Sequence, residues 1–364
     1  MLQKITSDLI RFKTEKGNTE QFKKAYAYIE SFLGSDMFQF EYIEHNDIIS
    51  QIIFFKGQDW KQSNIILDGH MDVVPAEDSQ YEPYVKENKL YGRGAVDMKS
   101  GIAAMLLAMK QIAEEGQYPP VAIMISGDEE IGGDDGAGYI CAQYEFNPEF
   151  VVVADGPKLE TMEITNREKG LVWLEVTAEG VAAHGSRPWL GNNAIERLIE
   201  AINKIKETLS ITNQPGWHTT LSITGISTPN KTHNKIPDQA SAILDIRFTE
   251  THGTTPAAFV DMLRKTLPAG IVINPVMTSP LVYTPENHPH MQRLQTIMQR
   301  VTQGNIPISY SDASHDAGFF AGKGIPTALI GPVGGNWHGK DEWVDVTTAN
   351  QLVDVLVQYI KESV

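Results

Sequence analysis

The chain is short of cysteine, of long apolar runs and of positive charge. One cysteine, Cys141, stands among 364 residues. It cannot close an internal disulfide, and a thiolate metal cluster is excluded. No stretch approaches the roughly 18 apolar residues of a membrane span. The N-terminal MLQKITSDLIRFKTEKG lacks the apolar core, about 7–15 residues long, of a secretory signal. Thirty Lys and Arg face 46 Asp and Glu, a formal charge of −16. That balance argues against nucleic acid and anionic membrane surfaces as partners. What is present is ordinary for a soluble globular protein: 41% apolar and 21% charged residues, with no low-complexity segment or repeat. The length allows two domains, or one large domain with an insertion. A cytoplasmic enzyme is the expectation.

Three short runs, NIIL (64–67), VAIMI (121–125) and FVVVA (150–154), are apolar throughout, as strands covered on both faces are. Between the first two, Ile102, Met105, Leu106, Met109 and Ile112 make one helical face. Strand, helix, strand predicts a βαβ unit and a mainly parallel sheet. PTALIG (326–331) and the helical TTANQLVDVLVQYIKE continue that architecture. The middle differs. In 171–180, Val172, Leu174, Val176 and Ala178 alternate with Trp173, Glu175, Thr177 and Glu179, the pattern of a half-exposed strand. A helix with Ile195, Leu198, Ile199, Ile202 and Ile205 on one side follows, then two alternating strands, a helix and a last strand. The order β-α-β-β-α-β is the ferredoxin-like split βαβ. The expected fold is therefore an α/β domain, residues 1–165 and 280–364, carrying an inserted α+β domain over 166–279.

In open α/β sheets, ligands bind beyond the carboxyl ends of the strands. There the first run delivers His70 and Asp72, the second Asp128, Glu129 and Glu130, the third Asp155, and PTALIG leads to His338. Asp97 precedes the long helix. Each alone is commonly a turn or cap residue. Together they place carboxylates and imidazoles at one predicted sheet edge, where divalent cations would compensate the acid surplus. Two imidazoles with several carboxylates and no thiolate suit Zn²⁺, with Mn²⁺ or Co²⁺ as alternatives.

DGHMDVVP, YGRGAVDMKSGIAAM, SGDEEIGG, VVVADG, AAHGSRPWLGNNAIE, NKIPD, LDIRF and NWHGKDEWV follow in order from residue 68 to 344. In this the sequence resembles the di-zinc aminoacylase-type metallopeptidases, which include acetylornithine deacetylase, succinyl-diaminopimelate desuccinylase and carboxypeptidase G. The resemblance implies two metals per subunit. His70 and Asp155 would hold one, Glu130 and His338 the other, and Asp97 would bridge them. Asp72 would orient His70, and Glu129 would be the general acid/base for a metal-activated water attacking an amide carbonyl. His184 resembles a lid histidine that steadies the oxyanion, across the subunit interface in dimeric members. Asn234 and Arg247 resemble a substrate-contacting pair. Arg247 suits a bidentate grip on a carboxylate, while a surface ion pair on an alternating strand is the competing reading. The implied activity is removal of an acyl group from an N-acyl amino acid, with a dipeptidase or carboxypeptidase as the alternative. A homodimer through the inserted domain is implied too. YSDASHDAGFFAGKGIP departs from the signatures of the named deacylases. His288, His290 and His315 read as loop residues.

Overall fold

The computed structural model describes residues 1–156, 161–212 and 214–363. Four strands form the parallel heart of a nine-stranded sheet. They are Val121–Ser126, Ile65–His70, Phe150–Val153 and Thr327–Ile330, in that spatial order. They cover most of the three runs that read as apolar throughout and part of PTALIG, because helices and loops cover both faces of a parallel sheet. Every residue of the four is buried. The antiparallel pair Phe38–His45 and Ile48–Phe55 extends one side. Ile164–Glu168, antiparallel to Thr327–Ile330, extends the other.

The helix Ser100–Glu114 buries Ile102, Met105, Leu106, Met109 and Ile112 and packs against the closing helix Val346–Ser363. Gly101, in its first turn, allows the closest approach to the sheet. A Cβ there would lie 2.2 Å from the Ala154 carbonyl oxygen. Among the described residues no helix is long and apolar enough to cross a membrane.

A second, small sheet orders Gly334–Gly335, Trp343–Asp345, Lys89–Tyr91 and Tyr84–Lys86. Its strands of two or three residues are too short for a periodicity to register. They join the segment carrying His338 to the segment leading into Asp97.

Met1–Arg167, Tyr283–Ser311 and His315–Val364 form one unit, and Glu168–Val282 with Asp312–Ser314 the other. The expected insertion ran from 166 to 279. The division lies a few residues later at both ends, and Asp312 joins the smaller unit, where its carboxylate meets the buried Lys169 ammonium at 2.7 Å.

The smaller unit is an antiparallel sheet in the order Thr220–Ser227, Gln239–Phe248, Gly170–Glu179, Ile271–Ser279. Helices Ala194–Thr208 and Pro256–Arg264 cover one face. The crossover from Gly170–Glu179 to Thr220–Ser227 skips the strand between them, which is the split βαβ arrangement. Leu198, Ile202, Ile205, Phe259 and Leu263 meet Val172, Leu174, Val176, Leu244 and Ile246 in its core. Ile199, expected on the buried helix face, is instead half exposed. The adjoining Leu198 and Ile202 rows suffice to cover the sheet.

Candidate metal centre

The parallel strands run in register, so their carboxyl ends align. His70 pairs with Ser126, and the amide of Ala154 donates to the carbonyl of Asp68. The residues that follow each strand therefore emerge at one level. Two groups of donors form there: His70 with Asp97 and Asp155, and Asp97 with Glu130 and His338. Within each group the ligand atoms lie within 4.8 Å of one another, and Asp97 belongs to both.

At His70 the spacing suits a cation cage better than a hydrogen-bonded cluster. Ligands at about 2.0–2.2 Å from a tetrahedral zinc stand about 3.4 Å apart. His70 Nε2 lies 3.3 Å from Asp97 Oδ1 and 3.6 Å from Asp155 Oδ2. Among the described residues this buried ring nitrogen has no hydrogen-bond partner. Those separations are long for N–H···O bonds and close to those of ligands sharing an ion. His338 Nε2 lies 3.2 Å from Asp97 Oδ2 and 3.0 Å from Glu130 Oε2. The residues fit a pair of divalent cations.

The electrostatics agree. Burial disfavours a charged His70, yet Asp155, Asp72 and Asp97 around it outweigh that and hold its pKa well above the usual imidazole range. Asp97 and Glu130 raise that of His338 to about 10. Carboxylates in this density draw in positive charge, and divalent cations would replace the protons on both rings. Burial pushes the Glu129 carboxyl well up, against the opposing pull of His70 and His315.

Asp72 does more than its place beside His70 implies. Its carboxylate lies 3.4 Å from His70 Nδ1, but the ring nitrogen is nearer the Asp72 main-chain carbonyl, at 3.0 Å. The carboxylate accepts the amides of Glu129 and Glu130, at 3.2 and 2.9 Å. It thus holds the turn that presents both glutamates. Glu129 Oε2 lies 3.8 Å from His70 Nε2, beside the first donor group, while Glu130 faces His338.

Glu342 carries a role that the sequence did not disclose. It is buried, and its carboxylate accepts from Arg93 Nη1 at 2.6 Å and from the amides of Gly94, Val96 and Asp97 at 3.0, 3.0 and 3.1 Å. It fixes the backbone at Asp97, four residues beyond His338 in its own strand of chain. Backbone amides leave no pattern in a sequence, although the acid's place within NWHGKDEWV could have drawn notice.

The loop assignment of His290 is corrected, while His315 lies in a loop as expected. His290 lies inside the helix Pro289–Thr302, with Nδ1 2.8 Å from the Tyr359 hydroxyl and its ring stacked on Phe150. Pro289 is the first residue of that helix, not a loop marker. His315 does precede a helix, Ala317–Gly322, but its Nε2 comes within 3.9 Å of Asp155 Oδ2, at the donor cluster. His288 caps the same helix as His290.

His184, Asn234 and Arg247 belong to the smaller unit. His184 pairs with Lys235 in a two-residue bridge, and the amide of Gly185 donates to the Asn234 carbonyl at 2.7 Å, so His184 and Asn234 are neighbours. The His184 ring is exposed, with Nδ1 2.8 Å from Ser186 Oγ. Arg247 points to the sheet face away from the helices and is engaged with Asp245, Nε to Oδ1 at 2.9 Å.

Comparison with known proteins accords with this geometry. The model of peptidase family M20/M25/M40 matches residues 66–362. A succinyl-diaminopimelate desuccinylase of Acidiphilium cryptum is 31% identical over 79% of this chain and 80% of its own. A second desuccinylase, of Ruegeria sp., is 27% identical over 98% and 94%. The fold superposes on aminopeptidase PepT of Bacillus cereus with a TM-score of 0.76 at 17% identity, over 99% of this chain and 97% of that one. For a metallo-carboxypeptidase of Sulfolobus solfataricus the values are 0.70, 16%, 98% and 97%.

Proposed function

The chain belongs to peptidase family M20/M25/M40 and is a hydrolase acting on amide bonds; from that premise we propose that it removes the acyl group from a small N-acyl amino acid. His70 and Asp155 would hold one cation and Glu130 and His338 the other, with Asp97 available to both. The donor set favours Zn²⁺, with Co²⁺ or Mn²⁺ as substitutes. Such cations lower the pKa of water from about 15.7 toward 7 and polarise a carbonyl oxygen.

The chain's own groups do the rest. Glu129 accepts a proton from the attacking water and passes it to the leaving amine. Burial raises its pKa, and a carboxylate made more basic takes up the water's proton more readily. Asp72 keeps Glu129 beside the site and Glu130 on its cation. His184 and Asn234 serve the substrate from the smaller unit, and Arg247 exchanges Asp245 for a substrate carboxylate.

One observation carries this reading: two donor groups share Asp97, with Glu129 beside them and outside both. The names of the relatives favour an N-acyl amino acid as substrate. A dipeptidase or carboxypeptidase reaction is the second reading, in keeping with the peptidases that share the fold. N-acetyl amino acids, N-succinyl-diaminopimelate and dipeptides offered to metal-loaded protein separate the two. Glu129→Ala should retain both metals and lose about 10²–10⁴-fold in turnover. Near-normal turnover would remove Glu129 from the mechanism.

We also infer a homodimer formed through the smaller unit. Its edge strand Thr220–Ser227 leaves Ile223 and Ile226 exposed, as an edge awaiting a partner does. Sedimentation that finds only single chains at micromolar concentration contradicts this.

A further inference from the structure

His315 stands apart from the roles described so far. Three imidazoles face the carboxylates of the site: His70, His338 and His315. The first two are assigned to cations. His315 is outside both donor groups, with its Nε2 3.9 Å from Asp155 Oδ2.

Its placement is fixed from below. Asp316, buried, accepts from Ser126 Oγ at 2.6 Å, and Ser126 ends the strand that leads into Asp128, Glu129 and Glu130. The amides of Gly318 and Phe319 donate to the carbonyls of His315 and Asp316, each at 3.0 Å, and start the helix Ala317–Gly322. The backbone of His315 is thereby tied to the root of the acid turn. Its side chain retains 16% exposure, against 2% for Asp155, so the ring is more open to solvent than that acid.

The resemblance gives one oxyanion donor, His184, to the smaller unit; His315 offers a second from the unit that holds the acids. An amide carbonyl attacked by water puts negative charge on its oxygen, and the walls around it are the carboxylates of Asp97, Glu129, Glu130 and Asp155. An N–H aimed at that oxygen is worth most where the surroundings are buried and acidic. We propose that His315 is a catalytic residue of this hydrolysis, donating a hydrogen bond from Nε2 to the scissile carbonyl oxygen as that oxygen becomes an oxyanion. The water oxygen bonds to the carbonyl carbon and the C=O electron pair moves onto the oxygen. The pair returns as the C–N bond breaks, with Glu129 giving its proton to the nitrogen. His315 keeps its own proton throughout. Because it belongs to the same unit as the donor groups, it acts whatever the smaller unit contributes.

The inference rests on the proposed amide hydrolysis, and the test separates the two. His315→Ala and His315→Gln are compared with the metal-loaded parent and with Glu129→Ala on an N-acetyl amino acid. The expected result for His315→Ala is full metal content by elemental analysis, KM within threefold of the parent and kcat lowered about 10²-fold. Gln, which keeps an N–H, should recover at least tenfold of that loss. Calorimetry with a phosphinic, tetrahedral analogue of the substrate should show a similar loss of affinity, while the free amino acid product binds as to the parent. Unchanged kcat and unchanged phosphinate affinity in His315→Ala overturn the assignment. So does loss of a metal, which would make His315 a positioning group for Asp155. If the parent fails to hydrolyse, or Glu129→Ala turns over normally, it is the hydrolase reading that falls, and the phosphinate measurement still decides on His315.

Discussion

Replacing Glu342 by glutamine tests whether a buried carboxylate, remote from any substrate, sets the position of the shared ligand Asp97. Four donors converge on it. Oε2 takes Arg93 Nη1 and the Gly94 amide, and Oε1 takes the amides of Val96 and Asp97. An amide group has one oxygen, and its nitrogen cannot accept. Whichever way the glutamine turns, two donors face an NH₂ group. If the oxygen serves Val96 and Asp97, the Gly94 amide and the Arg93 guanidinium lose their acceptor. Arg93 keeps a second bond, Nη2 to the Gly339 carbonyl at 3.2 Å, so its charge is not wholly stranded. Each unsatisfied buried donor costs about 1–3 kcal/mol, and a broken buried ion pair about 3–5 kcal/mol. We expect about 3–5 kcal/mol, felt locally.

A two-unit chain need not unfold in one step, so the assay should be local. Hydrogen exchange of the peptide spanning residues 92–99 should speed up by about 10²–10³-fold, on the scale of 1.4 kcal/mol per factor of ten. Because Asp97 belongs to both donor groups, cation binding should weaken at both, read by titration against a chelator. Unchanged exchange with two cations held as tightly as in the parent refutes the positioning role.

Asp72→Asn should leave one of the Glu129 and Glu130 amides facing an NH₂ group, at a cost of about 1–2 kcal/mol. Turnover should fall while far-ultraviolet dichroism is unchanged; undiminished kcat would show that the turn holds itself. Gly101→Ala puts a methyl 2.2 Å from the Ala154 carbonyl oxygen. Backbone on both sides must move, at a cost of about 1–3 kcal/mol or more, and the neighbouring Asp155 should bind its cation less well; a melting temperature equal to the parent's would contradict the close approach. Asp128→Asn addresses pH in chelator-treated protein. Burial raises the Asp128 carboxyl to about 6, above the unfolded value of about 3.9. Between those values the folded state binds more protons, so this carboxylate destabilises increasingly as pH rises through the window, by up to about 3 kcal/mol. The variant should gain on the parent from pH 4 to 6 and hold its advantage at pH 7, by urea denaturation; a difference independent of pH would sink the assignment.

How much of this was legible follows from what each feature requires of its residues. A strand buried on both faces is mostly apolar, so the runs at 64–67, 121–125, 150–154 and 326–331 announced themselves. The ionisable residues after each run stood out against that background, and parallel register brought them to one edge. The strands at 84–86 and 334–335 are too short for a period, so the apposition of the His338 and Asp97 segments was hidden. Lys169 and Asp312 meet across more than a hundred residues of chain, and no local pattern records such a pair. His290 was misread because Pro289 was taken as a breaker. Its place at the first position of a helix, with Met291, Leu294, Ile297 and Met298 buried behind it, is the reading that helical spacing supports.

Adjacent carboxylates at Glu129 and Glu130 are the sharpest case, because repulsion between neighbours argues against them unless the backbone separates the side chains. It does so through one acceptor. The amides of Glu129 and Glu130 both point at the Asp72 carboxylate, as successive N–H groups in a turn converge on an anion. With the two amides turned one way, the side chains splay apart, Glu129 toward His70 and Glu130 toward His338. A third acid thus organises two others: its charge is met by amide dipoles, and theirs by imidazoles and the cations these residues fit. The segment DGHMD therefore supplies both a ligand and the anchor for the turn that completes the second donor group. The two halves of the centre are built on one short stretch of strand, and an insertion between His70 and Asp72 should disrupt both donor groups together.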